Sequence, residues 1–395
     1  MTMAFNRNFN RKNTHSYKWD MPRLGGKRPD DIIALSVADS DYPTAPIVKR
    51  ALRKRVAHGA FGYTYVDDGF FRAVSAWTSR RYGYRPEPGW MLTAPGVVNA
   101  IYWTIRACVA PGETVVIQTP VYQPFYRIVP DGGANLTVNP LIDARDHYEI
   151  DFADLEAKFR SGAKMLIFCS PHNPVGRVWR RDELEQLVAL AKKYDVMLVS
   201  DEIHCDFVLF DNRFTSLASF YPEYEKIVVL IAPSKTFNVA GLKFSLIIAP
   251  DADIRARIAK TLDTNCISAS NPLSIEAARA AYERGDRWLD CQLAHIEKNF
   301  RIVADFFRDN FPEAIVYHLE GTYLVWVRIS FLGRPVKQIT EELIGYGLAL
   351  NPGSMFGPDG EGFVRINLAC GRRRLREALD RFRKYANDII NNDKT

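Results

Sequence analysis

The chain has 395 residues, is 47% hydrophobic and 25% charged, and carries a net charge of +6. These values exclude disordered, collagen-like and low-complexity classes, and the length suits two domains or one large domain with a smaller lobe. The mild positive charge permits attraction of anionic ligands, whereas nucleic-acid binding requires a clustered patch.

The opening stretch MTMAFNRNFNRKNTH lacks the apolar core of a signal peptide, and no run approaches the ~20 apolar residues of a membrane span. A soluble cytoplasmic protein without a membrane partner is therefore expected. Cysteines at 108, 169, 205, 266, 291 and 370 form no C-x-x-C pair and read as reduced thiols. Residues 1–46 read as irregular, with turn signals at Gly25-Gly26 and Asp41-Tyr42-Pro43. A helical pattern begins near 47 and breaks at Gly62 and Gly69, after which Phe71, Val74, Trp77 and Arg81 predict a helix over 70–82. Pro95-Gly96 is a turn that opens an apolar helical run to about Cys108.

Uniformly apolar runs then predict buried strands at 115–118, 165–169, 196–200, 227–231 and 245–249. Between the second and third, 182–194 places Leu184, Leu187, Val188 and Ala191 on one helical face. Such alternation describes an α/β fold with a mostly parallel central sheet flanked by helices. Whether a later strand runs antiparallel is left open. Beyond about 285 the pattern gives longer helices, a strand over 323–329 and a last helix over 372–389, with Leu375, Leu379, Phe382 and Ala386 inward. The expected division is a large domain of 47–284 and a smaller α+β domain of 1–46 with 285–395.

Lys235 follows the strand IVVLI in Ala232-Pro-Ser-Lys-Thr-Phe-Asn238. A lone lysine there commonly snorkels from a loop. However, Asp201 ends VMLVS, and Asn173 follows MLIFC in SPHNPVG. Ligands of open parallel sheets bind beyond the strands' carboxyl ends, where these three residues converge. A buried aspartate there needs a cation. A protonated pyridine nitrogen is one, and the pairing strengthens the ring as an electron sink. Asn173 suits the ring's phenolic oxygen. His172, His204, Cys169 and Cys205 lack zinc-ligand spacing, so no metal is expected. The arginine-rich GRRRLREALDRFRKY interleaves acids at helical spacing and reads as a solvated helix face rather than a nucleic-acid site.

In that order, SPHNPVG, SDEIH and PSKTFNVAG resemble the fold-type I pyridoxal-5′-phosphate (PLP) enzymes of the class I/II aminotransferase superfamily. VADSDYPTAP, FGYTYVDDGF, TPVYQPFY, GTYLVWV and GFVRINLACGR narrow the resemblance to its cystathionine β-lyases and cysteine-S-conjugate β-lyases, the MalY/PatB type, over about 37–372. The resemblance implies a homodimer with active sites at the interface and Lys235 holding PLP as a Schiff base. It places Asp201 on the ring nitrogen, Asn173 and His204 at the ring oxygen, and Tyr122 against the ring face. Phosphate falls to Gly96, Val97 and Val98, with Ser234 and Lys243 and with Tyr63 reaching over from the partner subunit. A glycine turn opening a helix does offer free N–H groups to phosphate, although it is equally an ordinary helix start. The amino-acid substrate is assigned to Arg365, Asn173 and Ala38. Arg365 stands among Phe363, Val364 and Ile366, which disfavours a surface arginine, and its fork suits a carboxylate.

Departures are Ser40 and Tyr42, where relatives carry Met and Phe, Ala232 where a hydroxyl is frequent, and Arg328 where an aspartate is common. Ser40 and Tyr42 are expected near the substrate side, and Ala232 is expected to weaken phosphate binding unless Lys243 compensates. The implied chemistry is removal of the Cα proton by Lys235. Expulsion of a β-thiolate then gives pyruvate and ammonia. Reprotonation on the cofactor instead gives a keto acid, the aminotransferase alternative. A catalytically inactive PLP-binding regulator is disfavoured by the intact Lys235, Asp201, Asn173 and Arg365.

Overall fold

The computed structural model describes residues 5–7, 9–21, 31–267 and 271–392; the turn expected at Gly25-Gly26 lies outside them. Among the described residues seven strands form the central sheet: β1 (Met91–Ala94), β2 (Thr114–Thr119), β3 (Asn135–Pro140), β4 (Met165–Cys169), β5 (Met197–Asp201), β6 (Ile227–Ile231) and β7 (Ser245–Ile248). Their spatial order is β1-β7-β6-β5-β4-β2-β3. The pairs from β3 through β6 are parallel. The antiparallel strand left open by the sequence is β7, which runs against both β6 and β1.

Every residue of β4, β5, β6 and β7 is buried, as a sheet covered on both faces requires. Each fully buried Val, Leu or Ile contributes about 1.5–3 kcal/mol, so the sheet is the rigid part and the loops at its ends are free to carry chemistry. The sequence pattern did not reveal β1 or β3. β3, NLTVNP, is a largely exposed edge strand with only two apolar aliphatic residues, Leu136 and Val138, and β1, MLTA, is short and only partly buried.

The Asp68–Tyr82 helix starts two residues earlier than the periodicity indicates, because the Asp67 carboxylate accepts the Phe70 N–H at 2.7 Å. Gly69 therefore lies inside the first turn, and the break falls at Gly59, whose φ of +80° ends the Pro46–His58 helix. The Arg372–Asn392 helix buries Leu375, Leu379, Phe382 and Ala386, as their spacing predicts.

A second, antiparallel sheet joins Ile315–Val316, Leu324–Arg328, Phe363–Asn367 and Asn351–Pro352. Ile33–Ala34 pairs in parallel with Leu348–Ala349, tying the early chain to the late chain. Just beyond it, Asn367 Nδ2 donates to the carbonyls of Val37 at 2.6 Å and Asp39 at 2.9 Å. This strap, 36–40, crosses from the second sheet to the loop after β6.

Candidate active site

β4, β5 and β6 end nearly level, with Cys169 opposite Asp201 and Asp201 opposite Leu230. Beyond those ends lies a cavity of about 800 Å³ whose walls include Asn173, Asp201 and Lys235. Asp201, the last residue of β5, is 4% exposed and accepts the Ile203 N–H at 3.1 Å. Burial pushes its carboxyl up to about 6, against the opposing pull of that N–H and of Lys235. It is a carboxylate in want of a closer cation.

Lys235 is half-buried and donates from Nζ to the Ala38 carbonyl at 2.8 Å, an oxygen that also accepts the Tyr323 hydroxyl at 2.9 Å. Burial first, and then the Arg365 charge, push the ammonium down to about 8, while Asp39 and Asp201 oppose the shift. The lysine loop is tied on both sides. Thr236 Oγ1 donates to the buried Asp206 at 2.6 Å, and Asp206 also receives Trp77 Nε1 and the Tyr82 hydroxyl. Asn238 Nδ2 donates to the carbonyls of Ser40 and Tyr42, each at 2.9 Å.

Arg365 lies behind Asn173, to whose Oδ1 it donates at 2.8 Å. Its other nitrogen donates to Asn351 Oδ1 at 2.8 Å and to the Ser36 carbonyl at 3.1 Å, and its guanidinium sits 4.6 Å from the Phe356 ring centre. All these partners are neutral, and burial pushes the guanidinium down to about 10. A buried arginine with neutral partners only keeps its charge available to an anion.

Gly96 is the N-cap of the Val97–Cys108 helix, with φ +104° and ψ 153° and no side-chain cap. Gly96, Val97 and Val98 line the cavity, so the helix start offers its open N–H groups there. A methyl group at Gly96 would meet nothing within 4 Å, so the backbone alone decides the effect of Gly96→Ala. Only glycine occupies that region freely, and we expect a loss of about 1–3 kcal/mol. A thermal melt should fall by several degrees; an unchanged Tm would show that the turn is not needed.

Ser234 and Lys243 also line the cavity, Lys243 exposed with φ +52°. Tyr122 is a half-buried wall residue whose phenol is raised by burial. His204 is buried, its ring edge-on to Tyr323 at 5.7 Å, and its Nδ1 has no partner among the described residues. Burial, then Lys235 and Arg365, hold it well below the usual imidazole value, so it is neutral. Ala38 completes this set. Tyr63 does not join it: its side chain is fully exposed, near exposed Phe61 and Tyr65.

One expectation about the departures is corrected. Ser40 and Tyr42 do not face the cavity; they are 0% and 2% exposed, and Tyr42 packs edge-on to Phe5, Trp288 and His295. Their carbonyls are drawn to Asn238 while their side chains lie in the core. Ala232 is buried after β6, is not among the walls of the cavity and brings no hydroxyl to it. Arg328 pairs with Asp143 and the Tyr317 hydroxyl and is likewise not a wall residue. Sequence reasoning missed Tyr102, Arg127 and Asp131 as wall residues, and Asn351 as a partner of Arg365. Asn99 and Tyr323 stood inside noted motifs without a role.

The aminotransferase class I and II family matches residues 30–382. The chain is 37% identical over 385 residues to cystathionine beta-lyase PatB of Bacillus subtilis, covering 96% of this chain and 99% of that protein. It is 30% identical over 383 residues to protein MalY of Escherichia coli, covering 95% and 96%. The crystal structure of cystalysin from Treponema denticola, which contains a pyridoxal 5′-phosphate cofactor, matches at a TM-score of 0.95 and 35% identity, covering 98% of this chain and 100% of that one. These matches take in the strand ends that carry Asn173, Asp201 and Lys235, and by them the chain belongs to the class I and II aminotransferase family.

Proposed function

We propose that the protein is a PLP-dependent C–S β-lyase that cleaves cystathionine or another cysteine S-conjugate, with one water, to a thiol, pyruvate and ammonia. One observation carries the reading. The strand ends gather a buried carboxylate in want of a cation, a lysine with a weakened ammonium, and a buried arginine without an anion. An amino acid and a pyridine cofactor bearing an aldehyde and a phosphate satisfy all three. The name of the Bacillus subtilis relative, a cystathionine beta-lyase, favours C–S cleavage among the chemistries such a site supports.

The residues fit the cofactor. Asp201 would hold its ring nitrogen, Asn173 and His204 its ring oxygen, and Tyr122 its face. Gly96, Val97 and Val98 would hold its phosphate through the helix start, with Ser234 and Lys243 adding donors. When bound, the cofactor supplies an electron sink for charge developing at the substrate Cα. Arg365, steadied by Asn173 and Asn351, grips the substrate carboxylate and so fixes the Cα–H direction, with Ala38 beside it. Lys235 Nζ, neutral at the moment of reaction, takes that proton. The proton then rests on Nζ, which can return it to the departing thiolate. Asp201, as a carboxylate, would keep the ring nitrogen protonated and so keep the ring able to accept electrons.

Arg365→Leu is expected to lower kcat/KM about 10²–10³-fold, chiefly through KM, in the range found when one partner of a buried charge pair is truncated. Cofactor absorbance should be retained. Loss of the cofactor instead would mean that Arg365 holds the fold rather than the substrate.

The test of the reaction is incubation with L-cystathionine and no keto acid. Sustained release of pyruvate, ammonia and thiol supports the lyase. A stall after one turnover with the cofactor aminated overturns it in favour of transamination, the reading carried by the family match itself.

The same reading makes the protein a homodimer, with Tyr63 of each chain reaching the other's phosphate site. Its full exposure beside Phe61 and Tyr65 supports this. It also divides the chain into a cofactor-binding domain of 47–284 and a smaller domain of 1–46 with 285–395. The six free thiols suit a reducing cytoplasm. Among the described residues no helix is long and apolar enough to cross a membrane.

A further inference from the structure

A second cavity, of about 740 Å³, shares no wall residue with the first. Its apolar walls include Phe5, Phe9, Tyr42 and Trp288, and its cations are Arg7, Lys49, Arg50 and Arg53. Among the described residues no acidic side chain lines it. All four cations are exposed, and among the described residues none of their side chains has a hydrogen-bond or ion-pair partner.

The position of three of these cations is unfavourable by itself. Lys49 and Arg50 follow directly on the first turn of the Pro46–His58 helix, toward its positive dipole end, and Arg53 stands near its middle. That first turn has no acid, and the N-cap, Ala45, makes no side-chain cap. Lys49 and Arg53 are one turn apart, where like charges repel. Trp288 and Tyr42 are 8% and 2% exposed, and among the described residues the indole Nε1 has no hydrogen-bond partner. Uncapped N–H groups, unpaired cations and aromatic walls in one place describe a site for an anion with an apolar, planar body.

We propose that this cavity binds a nucleoside polyphosphate, with the phosphates at the helix start and its cations and the base against the aromatic walls. Several cations match the several charges of a polyphosphate better than the single charge of a fatty acid. Phe9, 48% exposed, offers a stacking face. The ligand would abut the chain just beyond the strap, because Tyr42 walls this cavity and its carbonyl is held by Asn238, three residues past Lys235.

The experiment is calorimetric titration of the holoenzyme with ATP, with inorganic triphosphate and palmitate as comparison ligands. Saturable binding of one ATP per chain is expected, at least tenfold tighter than inorganic triphosphate and tighter than palmitate. Arg50→Ser/Arg53→Ser should weaken ATP at least tenfold while cofactor absorbance and lyase turnover stay unchanged. If that variant fails to fold, Lys49→Ser replaces it, with a threefold or greater weakening expected. No saturable ATP binding overturns the proposal. So does equal binding of triphosphate, which would leave a bare charged patch, or preference for palmitate. ATP binding untouched by the folded variant places the nucleotide elsewhere and overturns it as well.

Discussion

Lys235→Ala is expected to abolish turnover, with kcat falling by about 10⁴-fold, at the upper end of what a positioned general base supplies. Two functions go at once, because the same Nζ would bond the cofactor and take the Cα proton. The visible absorbance of the lysine-bound cofactor should vanish from the variant. Both functions require the neutral amine. With the ammonium pushed down to about 8 by burial and by Arg365, about a tenth is neutral at pH 7, far more than for an ordinary lysine. Raising the pH removes the proton, so uptake of cofactor by the wild-type apoenzyme should quicken toward pH 8 and level off above it. Lys235→Arg keeps the charge but cannot shed it, and should be as inactive as the alanine variant. Normal turnover by Lys235→Ala would sink the mechanism.

Asp201→Asn should lower kcat about 10²–10³-fold while leaving the cofactor attached, because Lys235 is intact. Removing one member of a buried charge pair costs about 3–5 kcal/mol, which sets that range. The carboxyl is 4% exposed, has one backbone hydrogen bond, and is raised by burial to about 6. A positively charged ring nitrogen would settle it as the carboxylate; an amide offers no charge in return, so the ring's demand for electrons weakens. Below about pH 6 the wild-type carboxyl of the empty site takes up a proton, and cofactor affinity should fall there. That fall should be absent from Asp201→Asn. Retained absorbance with lost turnover distinguishes this variant from Lys235→Ala. A kcat within threefold of wild type would remove Asp201 from the chemistry.

The triplet Asn173, Asp201 and Lys235 was legible because each follows a strand buried on both faces, and such strands announce themselves as apolar runs. β3 did not, since it is a largely exposed edge strand with only two apolar aliphatic residues, and β1 is too short and too mixed. The Asp201 position was sharper in the structure than in the pattern: β5 runs one residue later than expected and takes Asp201 as its last member. Arg365 could be read from its apolar neighbours. Its setting could not, because Ser36 and Asn351 come from 329 and 14 residues away and no local pattern joins them. Ser40 and Tyr42 were misplaced because nearness to Ala38 in sequence does not fix which way a non-repetitive segment faces. A count of charges did not foresee the pairing of Arg328 with Asp143, which depends on the register of the second sheet.

The Ala38 carbonyl accepts from both Lys235 and Tyr323. A carbonyl oxygen has two lone pairs, and an oxygen that loses one of two donors is still satisfied by the other. When the amine swings away, Tyr323 stays behind, and no buried acceptor is left bare. The lysine thus has a perch it can leave and regain without disturbing its surroundings. A catalytic arm that must let go and return in every cycle is served better by such a loose hold than by a tight one.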